Sequence, residues 1–197
     1  MNSMPLVEHH PLQPFLPANA KVLMLGSFPP QKKRWCMNFY YPNYTNDMWR
    51  IFGEVFFEDP LHFVNVKEKT YKEDEIKSFL TRKGIALYDT ACAVRRLNDN
   101  ASDKFLEVVQ VTDIHYLLSQ MPNCKTLVTT GQKATDTLCH YFGITSPAIS
   151  SFVDFSTKTD SRPRALRFYR MPSSSRAYPL SLTKKALIYK QMFDNIF

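Results

Sequence analysis

The stretch Lys21–Trp49, KVLMLGSFPPQKKRWCMNFYYPNYTNDMW, decides how the rest of the chain is read. It opens on the apolar run Val22-Leu23-Met24-Leu25, bounded by Gly26, which fits a strand buried on both faces. Ser27-Phe28-Pro29-Pro30 then turns the chain, and a basic-aromatic loop leads to a helix opening at Thr45-Asn46-Asp47. In an open parallel sheet, ligands bind outside the carboxyl ends of the strands, where loops and backbone donors converge. A site is therefore expected where this strand ends. A Gly-Pro turn after a first strand is common in α/β domains, so the turn alone does not say what the site does.

Working outward, residues 1–20 hold four prolines and no sustained period, so an extended segment strapped over the domain is expected. From Thr45 onward Met48, Ile51, Phe52, Val55 and Phe56 recur on one helical face, with Thr45 as N-cap and Asp47 in the first turn. Residues 58–70 read as loop and 71–82 as a charged helix with Ile76, Phe79 and Leu80 inward. A second strand, 84–89, ends on Asp89, and ACAVRRLNDNASDK after it reads as irregular and polar. Thr112 is the expected cap of a helix over 112–121, and 125–130 is a third strand, with Gly131 leading into a helix over 132–142. Residues 144–163 read as a long loop, 165–171 as a fourth, edge-type strand, and 182–193 as the terminal helix. Strands alternating with helices imply one domain over 1–197: an α/β fold, specifically a three-layer α/β/α sandwich around a central, mainly parallel four-stranded sheet.

Composition bounds the chemistry. At 197 residues, 44% hydrophobic and 22% charged, the chain fits one soluble domain with a substantial core. No run approaches the ~18 apolar residues that span a bilayer, and the start lacks a charged-then-apolar signal, so cytoplasmic residence without membrane attachment is expected. Cys36, Cys92, Cys124 and Cys139 form no CxxC pair, and the histidines lack ligand spacing, so neither metal nor other cofactor is expected. Cys124 and Cys139 read as small apolar packing residues, His9 and His10 as surface or packing residues. Residues 1–157 carry 16 basic and 16 acidic side chains, whereas the last forty carry nine and two, so the whole +7 sits there. Such a concentration suits a polyanion partner.

LGSFPP, then FYYPNYTNDMW, then MPSSSRAYPLSLTKKALIYKQMF resembles the uracil-DNA glycosylase superfamily, and most of all its hypoxanthine-DNA (deoxyinosine) glycosylase branch. That branch carries a "GSFPS" turn, a "YYxHPxNxFW" segment and an "LPSTSPA" loop, and GIALYDTACAVRR is similar to its "GLWDVLASCER". The motifs occur in the same order at similar spacing over most of the chain. The resemblance implies a monofunctional enzyme, working as a monomer, that flips a deaminated base out of DNA and hydrolyses its N-glycosidic bond. Asn46 falls on the motif asparagine and is the implied catalytic residue. Tyr40 and Tyr41 fall on the paired aromatics, with Tyr41 the stacking platform. Gly26, Ser27, Phe28 and Pro29 of the first turn, with Asp89 and Met171, are the implied base-side contacts. Pro172, Ser173, Ser174 and Ser175 fall on the loop that grips phosphates, Arg176, Tyr178 or Leu180 would fill the vacated stack, and Lys133 at a helix start is a further DNA contact.

Two departures are informative. Uracil-specific members place Asp or Asn where Phe28 stands and His or Asn where Met171 stands; the hypoxanthine branch shares both losses and relies on the asparagine. Asn43-Tyr44 stands where that branch has His-Pro. Hypoxanthine is thus the first candidate base and uracil the second. A different reading stays open: the same fold with a decayed centre, binding damaged or single-stranded DNA without excision.

Overall fold

The computed structural model describes residues 5–97, 103–159 and 161–197; expectations for 1–4, 98–102 and 160 lie outside these. In chain order the elements are β1 (Val7–His9), β2 (Val22–Gly26), α1 (Met48–Phe57), β3 (Val64–Asn65), β4 (Thr70–Tyr71), α2 (Glu73–Lys83), β5 (Ile85–Asp89) and β6 (Ala91–Arg96). After them come β7 (Leu106–Val111), α3 (Ile114–Ser119), β8 (Thr126–Thr130), α4 (Gln132–Phe142), β9 (Ser151–Thr159), β10 (Arg162–Met171) and α5 (Leu182–Asp194).

The four expected strands are β2, β5, β8 and β10, and they run parallel in the order β5-β2-β8-β10. Every residue of β2, β5 and β8 is buried, which is why these strands read as apolar runs without alternation. The helices flank this sheet, with α2 on β5, α4 on β8, and α5 touching both β10 and α1. Met48, Trp49, Ile51 and Phe52 of α1 are fully buried, and Phe52 packs edge-on against Phe193 of α5 at 5.4 Å. Cys124 and Cys139 are buried free thiols, as small packing residues should be.

The connection after β2 leads to β5 on one side, whereas α4 leads from β8 to β10 on the other. The carboxyl ends of β2 and β8 therefore flank a point where the direction of the connections reverses, the usual place for a ligand crevice.

Several details correct the sequence reading. A fifth strand, β9, lies inside the stretch read as a loop and pairs antiparallel with β10, so β10 is not an edge. The period-2 burial of β9, half-buried and exposed by turns, is the pattern of a strand covered on one face, hidden in the sequence among serines and threonines. The stretch after Asp89 opens as a strand: β6 pairs with β7 and with β1 of the N-terminal strap in a separate three-stranded sheet. Residues 58–70 contain β3 and the first residue of β4, which pair as a small hairpin. The cap positions shift as well. α1 begins after Asp47, while the backbone N–H and hydroxyl of Thr45 both donate to Asn43 Oδ1. α3 is capped by Asp113, which accepts from Tyr116 N, and the Thr112 hydroxyl instead donates to the Asp89 carbonyl at 2.6 Å.

Candidate active site

Parallel pairing sets the strand ends side by side: Gly26 is in register with Asp89, Leu25 with Thr129, and Met171 with Thr130. Above them lies a cavity of about 320 Å³. It is walled by Gly26–Pro30, Tyr40–Asn43, Thr45, Asn46, Asp89, Thr130 and residues 173–177, with Arg34, Arg96 and Asp103 completing the rim. A hollow of about 370 Å³ between Phe57, His62, Phe79 and Arg82 gathers no strand end, so the chemistry is assigned to the first cavity.

Asn46 is held from several directions. Its N–H donates to Asn43 O at 2.8 Å, its carbonyl accepts from the Tyr71 hydroxyl at 2.7 Å and from Arg50 Nη1 at 3.3 Å, and its backbone bridges Ser175. Arg50 and Tyr71 are both buried and bond each other, so this clamp is shielded from water. The Asn46 side chain accepts from Met48 N at 2.9 Å, which fixes Oδ1 as the acceptor end. Among the described residues nothing takes a hydrogen bond from Nδ2, which leaves the amide's donor end for whatever fills the cavity.

Tyr40 and Tyr41 build the aromatic wall. The Tyr40 hydroxyl donates to Gln13 O of the N-terminal strap at 2.7 Å, and Trp49 Nε1 donates to the Tyr40 carbonyl at 3.0 Å. Tyr41 sits at φ 51°, a left-handed conformation costly for a bulky residue, about 1–3 kcal/mol. Its ring stands edge-on to Trp49 at 6.0 Å, and its hydroxyl shares a 3.2 Å hydrogen bond with Thr130 Oγ1. Burial pushes the proton affinity of both hydroxyls well above that of an ordinary tyrosine. Phe28 is buried against Ala91, Val94 and Leu106 and forms a wall.

Two carboxylates face the cavity. His10 Nε2 donates to Asp89 Oδ2 at 2.8 Å, and the ring lies between Tyr88 at 4.5 Å and Phe28 at 5.2 Å. His10 is thus a buried partner of Asp89, more specific than its sequence reading as a surface or packing residue. Asp103 lines the cavity with Ser27 and Asp89; burial, and next Asp89, raise its proton affinity, against Ser27, Lys133 and Arg96. Gly26 leaves room for Asp89 here: a Cβ would push Oδ1 aside, and the carboxylate bonded to His10 would have to turn. Gly26→Ala is expected to destabilise the protein by about 1–3 kcal/mol in urea unfolding, as the displaced Asp89 has packed surroundings.

The serine loop is tied to the same segment. Asp47 N donates to Ser174 O at 2.9 Å, and Lys185, fully buried on α5, donates to Asp47 Oδ2 at 3.0 Å and to Ser175 O at 2.8 Å. Arg176 reaches Asp47 Oδ1 at 3.1 Å while its side chain stays half exposed. Tyr189 donates to Pro172 O at 2.8 Å and fixes the start of the loop. Gly26, Ser27, Phe28, Pro29, Tyr40, Tyr41, Asn46, Asp89 and Ser173–Arg176 thus meet at one cavity. Met171 and Pro172 are buried beneath it, and Tyr178 and Lys133 stand outside its lining. Sequence reasoning missed Thr130, Arg34, Arg96, Asp103 and the His10 contact. Thr130 was recoverable as the end of a strand. Asp103 was not, because it follows a stretch with no readable period.

No protein-family profile matches the sequence, and no curated protein matches it either. Solved structures do. The solution NMR structure of a "putative Uracil DNA glycosylase" from Methanosarcina acetivorans superposes with a TM-score of 0.59 over 95% of this chain and 99% of that one, at 18% identity. The two chains share one fold. At that identity the likeness concerns the fold alone, and the expected α/β layering is the observed one.

Proposed function

We propose that this protein is a DNA glycosylase that hydrolyses the N-glycosidic bond of a flipped deaminated base, hypoxanthine first and uracil second. The observation that carries this reading is Asn46, locked at backbone and Oδ1 and leaving its donor end at a cavity walled by Tyr41 and the serine loop. A flipped base needs an aromatic face to stack on and a donor for its carbonyl edge, and Tyr41 and Asn46 supply them. Ser173, Ser174, Ser175 and Arg176 border the same cavity, and hydroxyls, loop amides and a guanidinium suit the flanking phosphates. The basic excess of the last forty residues falls on this side of the sequence and favours a polyanion. One chain supplies every wall, so a monomer suffices.

Phe28 and Met171 favour a second reading, in which the cavity holds a base and does nothing to it. Oligonucleotides carrying uracil, hypoxanthine or xanthine, incubated with the protein and then cleaved with alkali, separate the two. Strand cleavage at hypoxanthine is expected. Salt-sensitive DNA binding with no alkali-labile product from any of the three would select the binding module instead.

A further inference from the structure

Hydrolysis of a glycosidic bond needs a group to take a proton from water and, for a poor leaving group, one to give a proton to it. Few groups around the cavity qualify. The Asn46 amide orients but exchanges no proton at moderate pH, Phe28 has none to exchange, and burial holds the Tyr40 and Tyr41 hydroxyls protonated. Arg96 is committed to Glu8 and to Pro29 O. Asp89 and Asp103 remain.

Their surroundings differ. Asp89 receives the Nε2–H of His10; Leu12 N donates to Nδ1 at 3.1 Å, and an Nδ1 that accepts leaves the neutral ring's proton on Nε2. Its Oδ1 lies over Gly26. Asp103 lines the same cavity, and His10 is not its partner; burial and then Asp89 favour its protonated form, with Ser27, Lys133 and Arg96 acting against them. Two carboxylates with unlike environments divide into an acid and a base.

We infer that Asp103 is the proton donor to the departing base and that Asp89, oriented by His10, accepts the proton of the attacking water. The inference rests on the glycosylase reading above. In the step, the C1′–N9 bond breaks with its electron pair going to N9, and water oxygen bonds to C1′. The water's proton passes to Asp89 Oδ1, and the Asp103 proton passes to N7, which leaves neutral base and an abasic sugar. Exchange with solvent then restores both carboxyls. A purine offers N7 as a basic ring nitrogen and uracil offers no equivalent, so this arrangement selects deaminated purines.

Single-turnover excision from an inosine-containing duplex, followed against pH with DNA affinity measured in parallel, tests the assignment. Asp103→Asn is expected to slow excision by about 10²–10⁴-fold, to leave DNA affinity unchanged, and to abolish the fall in rate on the alkaline side, while Asp103→Glu recovers part of the rate. Should Asp103→Asn not fold, Ser27→Ala carries the test. Ser27 favours the ionised form of Asp103, so its loss raises the proton affinity of Asp103 and the alkaline fall moves to higher pH. Asp103→Asn at the wild-type rate with its alkaline fall intact, or an unmoved profile for Ser27→Ala, overturns the inference and leaves the glycosylase reading standing. Wild-type protein that binds the duplex and releases no base overturns both.

Discussion

Asp47→Ala is expected to lower the free energy of unfolding by about 3–5 kcal/mol, the cost of leaving a buried charge without its partner. Lys185 has no exposed surface, and its ammonium meets one carboxylate, Asp47, and one carbonyl, Ser175 O. Removing the carboxylate strands that charge between α5 and the loop, and it frees Arg176 at the same time. Urea unfolding followed by circular dichroism measures the loss. Asp47→Ala combined with Lys185→Met should recover much of it, because the uncompensated charge is then gone and the volume of the lysine stem is kept. A single variant within about 1 kcal/mol of wild type would mean that water reaches Lys185 and that the pair does not hold the loop. The pair also matters for the site, since Asp47 lies directly between Asn46 and α1 and accepts from the buried Lys185 of α5, which also holds Ser175 O of the serine loop.

Asn46→Ala is expected to slow release of hypoxanthine by about 10²–10³-fold, the usual loss when one oriented donor to a developing charge is removed. The alanine also deletes the side-chain acceptor of Met48 N, which costs about 1 kcal/mol of stability as other helix-start acceptors do. Asn46→Asp separates the two effects. The carboxylate can still accept from Met48 N, so stability should stay near wild type, yet it presents no N–H to the cavity, so excision should be as slow as in the alanine variant. Equal rates for wild type and Asn46→Asp would remove Asn46 from the reacting centre. Stopped single-turnover assays, with thermal unfolding on the same samples, check both halves.

How much of this was legible in the sequence differed by element. Val22-Leu23-Met24-Leu25 and Leu127-Val128 are apolar on both faces, and doubly covered parallel strands need that composition, so β2 and β8 could be read directly. β9 could not, because Ser151–Thr159 hides one apolar face among serines and threonines, and its pairing partner is what makes it a strand. β6 and β7 resisted for a related reason: their sheet is completed by β1 from the N-terminal strap, distant in sequence. At the site, Asn46, Tyr41 and the serine loop were found through ordered motifs. His10 was not, since nothing local links it to Asp89, 79 residues away. Asp103 owes its surroundings to Ser27 and Asp89, again distant in sequence and adjacent only once the strand ends align. Local period and motif order thus revealed the frame, and contacts made by folding revealed the ionisable groups.

The most direct measurement is the chemical identity of the products from an inosine-containing oligonucleotide. Chromatography and mass spectrometry of the reaction should find free hypoxanthine and an intact strand carrying one abasic site, in equal amounts, with the yield lost in Asn46→Asp. A protein that holds the same oligonucleotide in a salt-sensitive complex while base and strand stay joined would contradict glycosylase activity at this cavity.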